Sequence, residues 1–548
     1  MNDTGDRTGP RAADSTRAAD SALAADYIVL GGGSAGCVLA DRLSESGRHQ
    51  VLLVEAGGDD RHPYVYLPAG FMKLLDHPQR DWRYRGEPDA AADGRRIAYP
   101  QGRMLGGTGS LNGMLYVRSS RTEHERWVAQ GCSGWSYDEV LPIYARIENV
   151  DGAAPDHPLP VSSPLEVHPL TRAFLAACGE AGLPVRESLN GREREGAATF
   201  HQNRAGRFRG GPAQSYLRRA RRRANLRVLT GTLARRILFD GRRAVGVELF
   251  GSGGALTARA RREVVVACGT IRSPQLLQVS GIGAAPLLAT LGVPVVVARP
   301  AVGANLHDHF SVRISQRVAG TGTLNERGRS WRLGPELFAY LVRGNGLLTS
   351  GASSAAVFTR SDPALPGPDL QLSFAPGSFE PGTYRLERQG GMTIAVLPSF
   401  PSSTGCVLAK SADITEPPAI TPNYLATAGD RAALIAGLRL ARRLFAMPSL
   451  ARWRVAETLP GAEVESDAQL LDYARRKGVS GYHLVGTCRM GGDADAVVDP
   501  QLRVRGVTGL RVVDASILPS GTSGNSNAAT IMVAEKGAAM MLAEVASG

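Results

Sequence analysis

The chain has little cysteine, few aromatic residues and no long hydrophobic run. Its six cysteines among 548 residues are scattered and form no CxxC pair, which argues against a zinc site or a disulfide framework. The first 25 residues are rich in Asp, Arg, Ala and Thr and lack the apolar core of a secretion signal. No stretch reaches the length of a membrane span. We therefore expect a disordered leader over residues 1–25 and a cytoplasmic protein with no membrane span.

The chain is basic, with a formal net charge of +12. Its densest positive run, residues 218–223, is short and contains no interleaved aromatic residues. We interpret this run as a solvated helix face and expect no nucleic-acid partner. The charge also attracts anionic ligands. A non-catalytic protein that binds a partner or a polyanion through its Arg-rich surface is an alternative.

The stretch 27–58 contains a strand, a glycine turn, a helix, a second strand and an acid. Gly31 allows the tight turn, Gly33 lets the backbone approach a pyrophosphate, and Gly36 lets the helix pack closely on the strand. The helix N-terminus offers free N–H groups and a partial positive charge to phosphates. Glu55 follows the second strand, where its carboxylate can accept hydrogen bonds from a ribose diol. The pattern predicts a dinucleotide site and suits NAD as well as FAD.

Further segments extend this α/β pattern. Residues 98–118 hold five glycines interleaved with small polar residues, which predicts a ligand-contacting loop rich in backbone N–H groups. An apolar strand at 263–267 leads into a helix, and a strand at 510–513 precedes a long helix at 528–545. Apolar runs at 226–229, 234–239 and 244–250 predict a small β-meander. We expect these distant segments to join one sheet, so that the nucleotide domain is discontinuous in sequence.

Four stretches together resemble the glucose–methanol–choline (GMC) family of flavin oxidoreductases. They are GGGSAG with Glu55, GRMLGGTGSLNGMLYVR at 102–118, GTIRSPQLLQVSGIG at 269–283, and the C-terminal pair YHLVGTCRMG and LRVVDASILPSGTSGNSNAATIMVAEK. The resemblance implies FAD, a small-molecule alcohol substrate and an α/β fold (α+β overall) of two domains. A Rossmann-like FAD-binding domain is expected over 26–154, 226–309 and 491–548. A substrate-binding domain of antiparallel sheet plus helices is expected over 155–225 and 310–490.

The resemblance also implies the residues of the site. His483 matches the family's catalytic position, and a histidine has a suitable pKa for accepting the hydroxyl proton. Asn525 matches the second position, where its amide can orient the substrate oxygen but cannot act as a base. A structural role for His483 and an N-cap role for Asn525 are the alternatives. The implied cofactor-binding residues are Gly31, Gly33, Ser34, Ala35, Gly36, Glu55, Ala56, Arg103, Gly107, Asn112, Gly113, Met114, Ala234, Asp514, Ala515, Asn525 and Asn527.

The expected reaction is oxidation of a primary alcohol to an aldehyde, with hydride transfer from the substrate carbon to flavin N5. Tyr99 stands where certain choline oxidases carry a histidine joined to FAD, so noncovalent FAD is expected. His307 and His309 flank Asp308, but no third ligand is evident, so no metal is expected. A lyase on the same scaffold, like the hydroxynitrile lyases, is the alternative. The sequence leaves open the particular alcohol, the electron acceptor (oxygen, quinone or another) and the oligomeric state.

Overall fold

The structure is a computed structural model that describes residues 23–380, 383 and 385–547. The expected leader therefore lies largely outside the described residues. The first strand begins at Ala24, so Ala24 and Ala25 belong to the fold and not to a leader. No helix among the described residues is long and apolar enough to cross a membrane.

Two large sheets account for fourteen strands, which we number in chain order. They are β1 Ala24–Leu30, β2 Val51–Val54, β3 Gly196–Thr199, β4 Leu226–Leu229, β5 Leu233–Asp240, β6 Arg243–Gly251, β7 Gly254–Val266, β8 Phe310–Val318, β9 Ala355–Thr359, β10 Leu370–Ala375, β11 Gly391–Pro398, β12 Arg454–Leu459, β13 Val479–Ser480 and β14 Leu510–Val512.

The described helices of seven residues or more are numbered in the same way. They are α1 Ser34–Ser44, α2 Arg121–Ala129, α3 Tyr137–Ile147, α4 Pro169–Glu180, α5 Gly269–Val279, α6 Ala285–Leu291, α7 Ala428–Ala446, α8 Asp467–Lys477 and α9 Asn527–Ser547.

The first sheet has seven strands in the order β4-β2-β1-β7-β6-β5, with β14 pairing with β7. Strands β4, β2, β1, β7 and β14 pair in parallel, whereas β5 and β6 run antiparallel. All four residues of β2 are buried, as is typical of a parallel strand covered on both faces. Helix α1 follows β1 and packs against the C-terminal helix α9. This sheet thus combines chain segments from the start, the middle and the end of the sequence.

The second sheet also has seven strands and is entirely antiparallel. Its order is β12-β8-β11-β10-β9-β3, with β13 pairing with β8. The long helix α7 packs on β11, and Gly437 in that helix lies where a Cβ atom would be 2.4 Å from the Val396 side chain. The α/β fold with a Rossmann-like sheet and a second antiparallel sheet is therefore confirmed. The exact domain boundaries stay a prediction.

Two local predictions need correction. The meander consists of β5, β6 and β7, because β4 pairs in parallel with β2 at the opposite edge of the sheet.

The arginine run at 218–223 is not simply a solvated helix face. Arg219 and Arg223 both pair with the fully buried Asp41 of α1, and Arg221 pairs with Asp59. These arginines neutralise a carboxylate that burial would otherwise destabilise.

Candidate active site

A long cavity extends from the carboxyl ends of β1 and β2 to the inner face of the second sheet. Its volume of about 330 Å³ lies at the lower end of the roughly 300–1,000 Å³ of common small-molecule pockets. Most of the predicted site residues line this one cavity. They are Gly31, Gly33, Ser34, Ala35, Glu55, Ala56, Gly107, Asn112, Gly113, Met114, Ala234, His483, Asp514, Ala515, Asn525 and Asn527.

Gly36 and Arg103 are the two predicted contacts that are not among the lining residues. A Cβ atom on Gly36 would lie 1.8 Å from the Gly31 carbonyl oxygen, so this glycine permits the close packing of α1 on the turn. The Arg103 guanidinium lies over the ring of Trp82, with 4.8 Å between its carbon and the ring centroid. Trp82 itself lines the cavity, so Arg103 supports the wall from behind.

The Glu55 carboxylate closes one end of the cavity. Its two oxygens accept hydrogen bonds from the Gly32 and Gly57 amides at 2.8 and 2.7 Å. Burial raises the pKa of Glu55 to about 7, although the two N–H donors act in the opposite direction. The carboxylate is thereby held in a fixed orientation at the end of β2, as a ribose-binding acid requires.

Two helix N-termini meet at the middle of the cavity. The Ser34 hydroxyl of α1 donates a hydrogen bond to the Asn527 side-chain oxygen of α9 at 2.8 Å. Both residues line the cavity, so the first free N–H groups of both helices lie beside the same space. Each helix end carries a partial positive charge, which makes this region suitable for phosphate or for another anion.

The glycine-rich loop crosses over the α1 turn. Gly107 has a φ of +51°, and a Cβ atom there would lie 2.8 Å from the Gly33 Cα atom. Met114 lies at the end of the loop with a φ of +62°, a conformation that is unusual for a residue with a side chain. The fully buried Arg209 holds the loop from outside through the Gly109 carbonyl and the Asn112 side-chain and main-chain oxygens.

Asp514 follows β14 and connects two parts of the cavity wall. Its carboxylate accepts hydrogen bonds from the Gly269 and Ser516 amides, each at 2.8 Å. Burial raises its pKa above the ordinary value. Asp514 therefore fixes the start of α5 relative to the end of the parallel sheet.

His483 and Asn525 lie together at the other end of the cavity. The Asn525 Nδ2 atom is 2.8 Å from His483 Nε2, and His483 Nδ1 is 2.9 Å from His309 Nδ1. His309 Nε2 is 2.9 Å from the Thr522 carbonyl oxygen, to which it must donate. Burial lowers the pKa of His309 to about 4 and that of His483 well below its ordinary value, so both imidazoles are neutral at pH 7.

These contacts fix the tautomer of His483. A neutral His309 that donates from Nε2 has an unprotonated Nδ1, which accepts from His483 Nδ1. His483 then carries its proton on Nδ1, and its Nε2 lone pair points at the amide of Asn525. The chain of hydrogen bonds therefore presents an unprotonated ring nitrogen to the cavity.

The main chain around His483 is also constrained. The buried Asp308 carboxylate accepts a hydrogen bond from the His483 amide at 2.9 Å, and another from the Ser480 hydroxyl. Tyr482, directly before the histidine, has a φ of +64°. Such a conformation costs about 1–3 kcal/mol for a residue other than glycine and persists where surrounding contacts enforce it.

Sequence reasoning missed the part played by His309. The two histidines that flank Asp308 were considered as metal ligands, and no metal was expected. In the structure, each of these histidines has another partner. His307 contacts the Pro401 carbonyl and the Asn305 side-chain oxygen, and His309 contacts His483. Among the described residues, no group of three potential metal ligands occurs. The sequence offered one signal for this role. His309 directly follows Asp308, and the buried Asp308 carboxylate holds the His483 main chain.

Comparisons with known proteins identify the family of the chain. Family models described as GMC oxidoreductase match residues 25–311 and 401–534.

The chain belongs to the GMC oxidoreductase family.

Its relatives include choline dehydrogenases. The oxygen-dependent choline dehydrogenase of Vibrio vulnificus is 38% identical over 526 residues, which cover 94% of each chain. The mitochondrial choline dehydrogenase of Homo sapiens is 40% identical over 530 residues, covering 93% of this chain and 89% of the human one. This GMC oxidoreductase is thus an enzyme of the choline dehydrogenase-like, alcohol-oxidising group.

Solved structures of other family members share the fold. Pyridoxine 4-oxidase from Mesorbium loti is 31% identical and matches with a TM-score of 0.84 over 94% of this chain and 98% of its own. A formate oxidase is 25% identical and matches with a TM-score of 0.89 over 96% of this chain and 99% of its own.

GMC oxidoreductases bind FAD, and the residues of this GMC chain suit that cofactor. The cavity contains a buried acid after β2, two converging helix N-termini and close backbone approaches where a Cβ atom would collide. These features match an adenosine ribose and a pyrophosphate. The remaining length of the cavity leads from this region to His483 and Asn525.

Proposed function

We propose that the enzyme oxidises a primary alcohol to an aldehyde, with His483 as the base and Asn525 as the group that orients the substrate oxygen. The observation that carries this proposal is the unprotonated Nε2 of His483, held toward the cavity by the contact with His309 and placed 2.8 Å from the Asn525 amide. A neutral imidazole in this orientation can accept a hydroxyl proton.

The roles of the residues follow from their donors and acceptors. Without substrate, the Asn525 amide donates to His483 Nε2. An alcohol would replace this contact, its oxygen accepting from the Asn525 amide and its hydroxyl donating to Nε2. As that proton moves to Nε2, the imidazole becomes cationic, and the hydrogen bond from His483 Nδ1 to His309 stabilises the added charge. FAD, when bound, supplies the acceptor of the hydride that leaves the substrate carbon.

We further propose that FAD is held without a covalent bond. Tyr99 is fully buried, its hydroxyl lies 3.1 Å from that of Tyr424, and it is not among the lining residues. Precipitation of the protein with acid should release the flavin into the supernatant. Yellow colour retained in the washed pellet would contradict the proposal.

The wall facing His483 favours an alcohol without a positive charge. Strands β8, β10 and β11 present small or polar side chains to the cavity, including Ser311, Gln371 and Thr393. Among the described lining residues, the only carboxylates are Glu55 and Asp514, and both lie at the cofactor end. Arg313 lines the wall and adds a positive charge there. A quaternary ammonium group is usually bound by aromatic rings with a nearby carboxylate, so we propose an uncharged substrate.

Anaerobic reduction of the flavin tests the reaction class. The holoenzyme is mixed with uncharged primary alcohols without oxygen, and the bleaching of the flavin absorbance is followed. Alcohol oxidation predicts bleaching and an equivalent of aldehyde per flavin. A hydroxynitrile-lyase activity, in contrast, would cleave a cyanohydrin without any alcohol bleaching the flavin. Reoxidation by oxygen or by a quinone in the same cuvette then identifies the class of electron acceptor.

A further inference from the structure

Large apolar side chains are exposed together on a segment that does not line the cavity. Of the fifteen exposed large hydrophobic residues in the described chain, five lie within residues 331–342. They are Trp331, Leu337, Phe338, Leu341 and Val342, with exposed fractions of 79%, 44%, 55%, 63% and 66%. We call residues 331–343 the apolar segment. Such concentration is uncommon on a free protein surface, where exposed hydrophobic residues are usually scattered.

The apolar segment is helical and is anchored by its polar side. A 3-10 turn at Ser330–Arg332, a helix at Leu333–Phe338 and a π turn at Ala339–Arg343 follow one another without a break. Glu336 is buried, where it pairs with Arg327 at 2.7 Å and accepts a hydrogen bond from the Leu347 amide at 3.0 Å. The helix thus buries an acid and exposes leucine and tryptophan. This orientation is favourable when another apolar phase covers the outer face.

Arginines border the exposed rings. The Arg332 guanidinium lies 5.5 Å from the Trp331 ring centroid and 3.9 Å from Glu326, and Arg343 lies 5.8 Å from the Phe338 ring. Residues 326–343 contain four arginines and two acids, a net charge of +2. Arg327 pairs with the buried Glu336 and Glu326 lies beside Arg332, so the exposed Arg332 and Arg343 leave the outer face weakly positive. Two copies of this face would repel each other, whereas anionic lipid headgroups would neutralise it.

Phe208 extends the same surface from a neighbouring hairpin. It is 43% exposed, and its ring meets Tyr340 edge-on at 6.5 Å between centroids. Arg207 beside it donates to the Leu341 carbonyl at 2.6 Å. The apolar face is therefore rigidly held on the body of the protein, with apolar residues at its centre and arginines around them.

We propose that the apolar segment and Phe208 dock the protein on the surface of an anionic lipid bilayer. The helix lies in the interfacial plane, inserts Trp331, Phe338 and Leu341 among the acyl chains, and directs its arginines to the headgroups. Aromatic and basic residues prefer this depth of a bilayer. This docking adds a membrane surface to the proposed alcohol oxidation and does not depend on it.

Vesicle binding of the full-length holoenzyme tests the proposal. Cosedimentation is measured with phosphatidylcholine vesicles that contain about one third phosphatidylglycerol, which gives their surface a negative potential. We expect binding to these vesicles, weaker binding at high salt, and little binding to pure phosphatidylcholine. Trp331 is the most exposed tryptophan, so its insertion should shift the fluorescence to the blue. Trp331→Phe should retain binding and lose most of that shift.

A double variant and a matched control make the test specific. Leu341→Glu with Val342→Glu should lower vesicle affinity by about tenfold or more, because two exposed apolar side chains and the positive potential are lost together. Val455→Glu changes a residue that is 61% exposed elsewhere and should leave binding unchanged. Flavin content should be normal in both proteins.

Three results would overturn the proposal. The first is no sedimentation with either kind of vesicle, or equal sedimentation with charged and uncharged vesicles. The second is an equal loss of binding in the Val455 control. The third is a homodimer in sedimentation velocity that dissociates in the double variant, together with no vesicle binding. That third result would identify the face as a contact between two copies of this chain.

Discussion

The two ends of the cavity hold different kinds of titratable group, and burial disfavours the charged form of both kinds. At the cofactor end, burial raises the pKa of Glu55 and Asp514, and backbone N–H groups hold both carboxylates in place. At the reaction end, burial lowers the pKa of His309 and His483 and leaves both rings neutral. The first end is built from charge and dipoles that suit a ligand of constant charge. The second is kept free of charge so that a proton can arrive during the reaction.

The first prediction removes the proton acceptor from the reaction end. We expect His483→Ala to lower turnover by about a thousandfold, within the range for loss of a general base, while FAD binding is unchanged. Stopped-flow flavin reduction and the flavin-to-protein absorbance ratio measure the two effects. Turnover close to that of the unchanged enzyme would show that another group takes the hydroxyl proton.

The second prediction tests whether His309 acts through His483. His309→Ala removes the acceptor of the His483 Nδ1–H bond, so the tautomer is no longer fixed and the forming imidazolium is less stabilised. We expect flavin reduction to slow by roughly 10–100-fold, with little change in substrate affinity. The pH profile of reduction should change as well.

His307→Ala is the matched control for this experiment, because His307 is similarly buried and contacts Pro401 and Asn305 instead of His483. An equal slowing in both variants, with unchanged pH profiles, would assign His309 a purely structural role.

The third prediction compares substrates by charge. Choline and its uncharged isostere 3,3-dimethylbutan-1-ol have the same shape and differ at one central atom. The described residues of the wall facing His483 include no carboxylate that could pair with the choline cation. We therefore expect the isostere to reduce the flavin with a kcat/KM at least about tenfold higher than that of choline. Equal or better reduction by choline would show that the wall accommodates a cation.

The fourth prediction concerns the cofactor end alone. Glu55→Gln keeps the size of the side chain but weakens acceptance from the Gly32 and Gly57 amides and from a ribose. We expect FAD affinity to fall by about tenfold, equivalent to 1.4 kcal/mol, with turnover per bound flavin unchanged. Titration of the apoprotein with FAD measures the affinity. A loss of turnover at full flavin occupancy would mean that the two ends are coupled.

The fifth and smallest effect is that of pH. Protonation of His483 removes the base, and burial lowers its folded-state pKa below the ordinary 6.5. The flavin-reduction rate should therefore stay near its maximum as the pH falls through 6.5, and decline only at lower pH. The kcat/KM of the free enzyme, measured with an uncharged alcohol, reports this value. An inflection above 6.5 would show that the site stabilises the imidazolium before substrate binds.

Sequence reasoning performed unequally along this cavity. The glycine turn, Glu55 and the start of α9 were predictable, because each is a local pattern whose physical purpose is visible within a few residues. The family resemblance added His483 and Asn525, which lie 42 residues apart and meet through tertiary structure. His309 could not be assigned, because its function depends on a contact across 174 positions. The same applies to β4, whose place at the far edge of the sheet depends on which partner strand it meets.

The contact between Ser34 and Asn527 has a consequence for how the protein matures. It joins the first helix of the fold to the last across 493 residues, and the Arg42–Glu535 ion pair reinforces it. The strand β14, which extends the parallel sheet, also comes from this late segment. An early segment folded without this late one would lack half of the phosphate-binding region. Capture of the cofactor's phosphates therefore requires that the two distant segments have already docked on each other.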